Sequence, residues 1–418
     1  MTTGEQTSRS HRQRRIVVIL SIGQVLSGVG LGAGVSLGAL LVAAITGDDA
    51  FSGLAATAGT LGAALFAIPL ARLAGRKGRR PALSLGAAIA VVGASAVIIA
   101  ALAESPAMLL VALVLLGAGN AVNLQARFAA TDLAATAHRG RDLSIVVWTT
   151  TVGIVVGPNL VGPGQALGAA LSLPDLTGPF LITAACQIAA AALYFVALRP
   201  DPLQEAQRDE AALGGRSMSD VRHGRGLPAG LRAAGIRGRA AIGIVALAHA
   251  TMVSVMAMTP VHLAHHGATL SIIGFTISLH TLGMFGLSPV FGWLSDRIGR
   301  ERVVLMGQGV TAASLLVGWL ASESTVAVAV SLALLGLGWS ATTIAGSALI
   351  AGATSVEDRP SVQGLSDTAM SLAGALGGAL AGVVLALAGY AGLNAAALLL
   401  VGGVVALVAR RGSHPLTK

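Results

Sequence analysis

His249 and His280 lie within strongly apolar stretches that hold almost no Asp or Glu. An imidazole takes up and releases a proton near neutral pH without an extreme change in its ordinary affinity. These two rings are therefore the candidates for moving a proton through an apolar environment. The competing reading is a neutral ring that fixes helix packing. Gln24, Asn120, Asn123, Asn159 and Trp339 are further candidates among the polar groups in such stretches, and with the two histidines they can hydrogen-bond a small molecule. Each can equally satisfy a neighbouring helix, since polar groups in hydrocarbon seek partners. No Arg lies at mid-depth to hold a multiply charged anion, and 3% aromatic residues give no evident cage for a quaternary ammonium. An amphipathic or largely neutral ligand fits this set. His262, His265 and His266 form a cluster open to metal binding or to plain interfacial exposure. Cys186, the single cysteine, excludes an internal disulfide and a multi-cysteine metal site. No paired deep carboxylates or ordered nucleophile argue for an enzyme, and no cofactor is implied.

The elements that must position these groups are apolar runs of about 20 residues, the length that crosses a bilayer. The 418 residues are 54% hydrophobic and 11% charged, with a mean hydropathy of +0.79. Twelve spans can be drawn, at roughly 16–43, 52–74, 82–102, 107–131, 143–168 and 178–198, then 241–262, 270–293, 303–321, 325–350, 362–387 and 391–410. The turn in the final pair is marked only by Gly389-Tyr390-Ala391-Gly392. All 27 Lys and Arg then fall on one side, in the tails, in alternate connections and at the span ends beside them. The opposite connections hold Asp48, Asp49, Glu104, Asp175 and Glu323 and no basic residue. Basic residues are retained in the cytoplasm, so both termini are expected there. The net charge of +9 is thus explained by orientation and anionic lipid contact rather than nucleic acid. The expected class is an all-α polytopic membrane protein. Its parts are a cytoplasmic amino tail (1–15), a six-helix bundle (16–198), a polar cytoplasmic linker (199–240), a second six-helix bundle (241–410) and a short cytoplasmic carboxyl tail (411–418).

The connection after the eighth span reads Gly292-Trp293-Leu294-Ser295-Asp296-Arg297-Ile298-Gly299-Arg300. Gly292 permits close helix contact, Gly299 a tight turn, and Asp296 can accept hydrogen bonds from a helix amino terminus. The equivalent first-half connection, Ala71-Arg72-Leu73-Ala74-Gly75-Arg76-Lys77-Gly78-Arg79-Arg80, keeps the second glycine and the basic end. It lacks the first glycine and the aspartate. In the fifth span, Gly153-Ile154-Val155-Val156-Gly157-Pro158-Asn159-Leu160-Val161-Gly162 joins small residues to a helix-bending proline.

The paired loops resemble the GxxxDRxGR signature of the major facilitator superfamily, and the fifth span resembles the GxxxGPxxxG part of a motif in its proton-coupled exporters. Gly336-Leu337-Gly338-Trp339-Ser340 and the Arg359-Pro360 and Gln363-Gly364 pairs are also similar to that superfamily. The resemblance implies two pseudo-symmetric six-helix bundles with spans 1, 4, 7 and 10 lining a central cavity. It implies that Asp296 engages the start of the fifth span, near Asp142, as a cytoplasmic latch in which Arg297 and Arg300 take part. Gly153, Gly157 and Pro158 would form a hinge. In the first half, Asp367 is expected to pair with Arg72 or Arg76 and replace the missing aspartate. Arg79 and Arg80 are read as topology or lipid contacts, and Arg127 as either a partner of Asp132 or a gating residue. The expected function is proton-coupled export of a small amphipathic or neutral compound by alternating access, by a functional monomer in a bacterial cytoplasmic membrane. Uptake or uniport by the same fold, and a non-transporting sensor that uses its linker as a partner surface, are the alternatives.

Overall fold

The computed structural model describes residues 3–46, 53–212 and 227–412, and among them all the α-helical and 3-10 segments connect without a β-strand. The helices are α1 (Thr3–Thr46), α2 (Gly53–Lys77), α3 (Arg79–Leu102), α4 (Pro106–Ala129), α5 (Arg139–Asn159), α6 (Val161–Ala170), α7 (Gly178–Ala197), α8 (Pro202–Ala212), α9 (Leu227–His265), α10 (Leu270–Phe285), α11 (Ser288–Ile298), α12 (Arg300–Leu320), α13 (Thr325–Gly352) and α14 (Arg359–Gly412). Nine helices among the described residues are long and apolar enough to cross a membrane. One of these, Arg359–Arg411, covers both of the last two predicted spans.

Departures from the predicted spans have local causes. The fifth span is two helices, α5 and α6, parted at Leu160 (φ −89°, ψ −2°), two residues after Pro158. Proline lacks the N–H that would continue the ladder and crowds the preceding turn. The eighth span divides into α10 and α11, and Pro289 sits in the first turn of the second piece, where its missing N–H costs nothing. Inside α14 a single residue, Gly389 (φ 68°, ψ −177°), is non-helical. Glycine adopts that backbone without a Cβ clash. On the predicted outer side, Ser105, Thr269 and Ser324 cap α4, α10 and α13 by accepting the N–H groups of Met108, Ile272 and Ala327.

The chain divides into two compact units. The first contains Met1–Ala134, Thr149–Gly230 and Ser355–Thr368; the second contains Ala135–Trp148, Leu231–Thr354 and Ala369–Lys418. The opening turns of α5 thus belong to the second unit, and the opening turns of α14 to the first. In the first unit α3 packs on α4 and α7 through a face of Ala82, Leu83, Gly86, Ala87, Ala90 and Gly93. Lipid tails give helices no hydrophobic reason to associate, so close backbone approach between small residues supplies the packing. A core of Leu37, Leu41, Val97, Leu109, Leu113 and Phe180 closes one part of this unit. Its counterpart in the second unit is built from Val255, Leu263, Leu315, Leu332, Trp339 and Tyr390.

Candidate functional site

In the second unit the Asp296 carboxylate accepts two main-chain hydrogen bonds at the start of α5, from Gly140 N–H to Oδ1 (3.0 Å) and from Arg141 N–H to Oδ2 (2.9 Å). The first N–H groups of a helix have no intrahelical acceptor and carry its positive dipole end, so a carboxylate satisfies both needs. Gly292 lies one turn earlier on α11. A Cβ there would stand 2.5 Å from the Gly140 carbonyl oxygen and against Ser144, so only glycine lets α11 approach α5 this closely. Gly299 (φ 99°) then turns the chain into α12, and Gly78 (φ 93°) makes the same turn between α2 and α3. Arg300 donates to the main-chain oxygens of Ala348 (3.0 Å) and Thr136 (3.2 Å), tying the end of α13 to the turn before α5. Arg297 is exposed and lies over the Trp293 ring, 5.1 Å from its centroid.

The first unit solves the same problem differently. Gly75 occupies the position equivalent to Asp296, and its neighbour is Pro360, at 3.5 Å from where a Cβ would be. Pro360 stands second in α14 as Gly140 stands second in α5. Proline has no N–H to donate, so the carboxylate and one of the two donors it would need are missing together.

Asp367 does not pair with Arg72 or Arg76. Its Oδ1 accepts from Arg127 Nη2 at 2.7 Å, with side chains 4% and 0% exposed for Arg127 and Asp367. Arg72 and Arg76 lie four apart on the exposed face of α2, whereas Leu70, Ala71 and Ala74 point inward. Asp132, the expected partner of Arg127, is held by Arg79 instead, whose Nε donates to Oδ2 at 2.8 Å. Arg79 also donates to Gln363, and Arg359 donates to the Asp132 main-chain oxygen at 3.3 Å. Arg79 is completely buried, which overturns its reading as a topology or lipid residue. Buried charges persist only when partnered, and here three arginines and two aspartates interlock. Arg80 donates to the Phe195 carbonyl oxygen and covers that ring, again a protein contact.

Gly153 of α5 faces Gly28 of α1, with its would-be Cβ 2.7 Å from the Gly28 Cα. Gly157 is buried at the end of α5; the side chains of Pro158 and Asn159 lie outside the described residues. Gln24 of α1 bonds Thr150 of α5 and the main chain of Asn123 in α4. Asn120 is half-buried three residues earlier, on the same helix face as Asn123.

In the second unit the indole N–H of Trp339 donates to His249 Nδ1 (3.1 Å), and Phe285 meets the indole edge-on at 6.0 Å. His280 is fully buried, and its Nδ1 bonds the Leu332 carbonyl oxygen at 2.7 Å. A carbonyl accepts only, so Nδ1 carries the proton and Nε2 is the basic atom; Nε2 meets no partner among the described residues. His262 bonds the Ser322 carbonyl oxygen and stacks on Tyr390, while His266 bonds Glu323. No group of three metal-ligating side chains suited to an ion occurs among the described residues. Thr150, Ser144 and Phe285 were not singled out from sequence, and Gln363 was noted only as part of a motif, not as a partner of Arg79. Thr150 stands three residues before Gly153, and Gln363 is in the Gln-Gly pair after Pro360, so position offered a signal for those two.

A family model described as Major Facilitator Superfamily matches residues 20–245 and again 240–418. The chain belongs to the major facilitator superfamily. This superfamily member is 39% identical over 396 residues to the Uncharacterized MFS-type transporter YdeG of Bacillus subtilis (strain 168), covering 94% of this chain and 90% of that one. It is 30% identical over 386 residues to the Riboflavin transporter RfnT of Brucella anthropi, covering 91% and 92%. Among solved structures it is similar to a bacterial homologue of the iron transporter ferroportin in an outward-facing state, with a TM-score of 0.74, 16% identity and coverage of 96% and 100%. It is also similar to the E. coli fucose:proton symporter FucP, with a TM-score of 0.69, 16% identity and coverage of 96% and 98%. Those two likenesses are of fold. The chain is a polytopic member of a transporter superfamily.

Proposed function

We propose that the protein exports a small uncharged or amphipathic compound across the bacterial cytoplasmic membrane in exchange for protons, by alternating access and as a monomer. Both termini are on the cytoplasmic side in this reading. The observation that carries it is the Asp296 carboxylate seated on the first N–H groups of α5. Such a contact is directional and fails once the groups separate, so it biases a two-state element as a latch must. The Arg127–Asp367 pair is the second latch, with Gly292 and Gly299 shaping the first and Arg300 bracing it. Gly153, Gly157 and the break after Pro158 give α5 a hinge. Gln24, Asn120, Asn123, Asn159, His249, His280 and Trp339 are the proposed cavity residues. His280, with its basic nitrogen free, and His249 are the proposed proton carriers.

Riboflavin is the first compound to try, because a relative 30% identical over most of both chains is named as its transporter. It is uncharged and amphipathic, as the cavity candidates require. Substrate counterflow in reconstituted vesicles, with and without an imposed proton gradient, tests the reading. Substrate-dependent proton movement opposite to the substrate supports export by exchange. Movement in the same direction replaces export with uptake, and no counterflow of any compound removes transport in favour of a sensor.

A further inference from the structure

A cluster of neutral amides lies in the first unit where α1, α4 and α5 meet. Gln24 Nε2 donates to the Thr150 hydroxyl at 3.0 Å and to the Asn123 main-chain oxygen at 3.4 Å. A main-chain oxygen only accepts, so this end of the Gln24 amide is nitrogen and the remaining end, Oε1, is an acceptor. Among the described residues Oε1 has no hydrogen-bonding partner, and neither has Asn123 Nδ2 or Asn123 Oδ1. Gln24 is 4% exposed and Asn123 8%, so these are enclosed atoms. Leaving a buried donor or acceptor idle costs roughly 1–3 kcal/mol per group. Other buried amides of the same unit use at least one end: Gln13 bonds the Ala130 oxygen, Gln125 the Ala67 oxygen while its Oε1 is idle like that of Gln24, and Gln187 accepts from Ser27. Asn123 uses neither end.

A primary carboxamide offers one donor and one acceptor side by side in one plane. Its complement is a cis –CO–NH– edge, whose oxygen accepts from Nδ2 while its N–H donates to Oδ1. Rings impose that cis geometry in lactams, imides and cyclic ureas. An open-chain amide is trans and points its C=O and N–H in opposite directions, so it cannot make both bonds. Gln24, Asn123 and Thr150 are all uncharged, which gives no counter-charge for an ion.

We propose that Asn123 is the recognition amide for an uncharged ring compound bearing a cis –CO–NH– edge, with Gln24 Oε1 accepting one further N–H or O–H from the same ligand. This rests on the transport reading and names its substrate class. Cyclic amides are selected over peptides by geometry, and over their N-alkylated forms by the N–H itself.

The test uses the full chain in lipid nanodiscs and measures equilibrium binding of riboflavin, uridine and guanosine. Each is paired with the form methylated on its ring amide nitrogen: 3-methylriboflavin, 3-methyluridine and 1-methylguanosine. At least one parent should bind, with its methylated partner at least tenfold weaker. Asn123→Leu should bring the two to equal, weak binding. The parent-to-methyl ratio on the unaltered protein needs no variant, so misfolding of Asn123→Leu does not shelter the proposal. Equal binding of parent and methylated forms overturns it, as does binding by none of the three parents. A counterflow screen of amphipathic compounds without a cyclic amide runs on the same preparation. Movement there without cyclic-amide binding sinks this proposal alone, whereas no movement of any compound sinks the transport reading with it.

Discussion

Replacing Arg127 with Gln strands the Asp367 carboxylate where it can lose its charge only by binding a proton. Arg127 Nη2 is 2.7 Å from Oδ1, and both side chains are enclosed. The other oxygen, Oδ2, has no hydrogen-bonding partner among the described residues. Removing one member of a buried pair costs about 3–5 kcal/mol. Protonation caps that cost. An aspartate of ordinary affinity becomes the neutral acid at pH 7 for about 4 kcal/mol, and at pH 5 for about 1.5 kcal/mol. The acid form gains as pH falls, so the loss in Arg127→Gln should shrink toward acid by up to about 1.4 kcal/mol per pH unit. Asp367→Asn leaves no carboxyl at that position and should show a loss that does not follow this slope. Thermal unfolding in nanodiscs and counterflow in vesicles, each run from pH 5 to pH 8, read both variants. The exchanged pair Arg127→Asp with Asp367→Arg should recover most of what either single reversal loses. An Arg127→Gln defect as deep at pH 5 as at pH 8, or damage that adds in the exchanged pair, refutes the assignment.

Asp296→Asn keeps one acceptor where the carboxylate had two and removes the charge at the α5 dipole, so counterflow should fall about tenfold, roughly 1.4 kcal/mol. Gly292→Val should be worse, since its Cβ has no room beside Ser144 and Gly140; wild-type counterflow in that variant would reject the close approach. Gly75→Asp should impair transport because its carboxylate meets Pro360, and adding Pro360→Gly should restore activity by supplying an N–H. Failure of the double variant to improve on the single one counts against the equivalence of the two loops. His280→Gln should abolish substrate-dependent proton movement while binding persists; normal stoichiometry in that variant removes His280 from the coupling route.

Much of the helical layout was legible because charge and hydropathy speak to different facts. Hydropathy located α3, α4, α12 and α13 to within a few residues, and the one-sided arginines supplied an orientation. The Asp296 contact was also readable, since an aspartate before a glycine turn needs a donor and the start of the fifth span offers one. The partner of Asp367 was not readable. It depends on which face of α2 is buried, and that helix buries Ala67, Leu70, Ala71 and Ala74, small residues whose pattern differs little from its exposed side. Arg79 has the same obstacle. In sequence it is one of several arginines in a basic turn, and only the approach of Asp132 and Gln363 makes it a core residue. The free amide of Asn123 is a fact about what its neighbours fail to provide, which no spacing encodes.

Gly389 has a bearing on how the chain is made. From Thr368 through Ala409 there is no charged side chain, and one non-helical glycine is the sole interruption of the helix there. Every other predicted outer connection except that of the histidine-rich stretch after α9 includes an acidic residue to be carried across the membrane during synthesis. Here there is no hydrophilic segment to translocate and no basic residue to stop it. In the predicted topology the last two spans would enter the bilayer as one hairpin, the first waiting for the second to emerge. In that topology Arg410 and Arg411, directly after the second of these spans, are the basic residues that would anchor the hairpin.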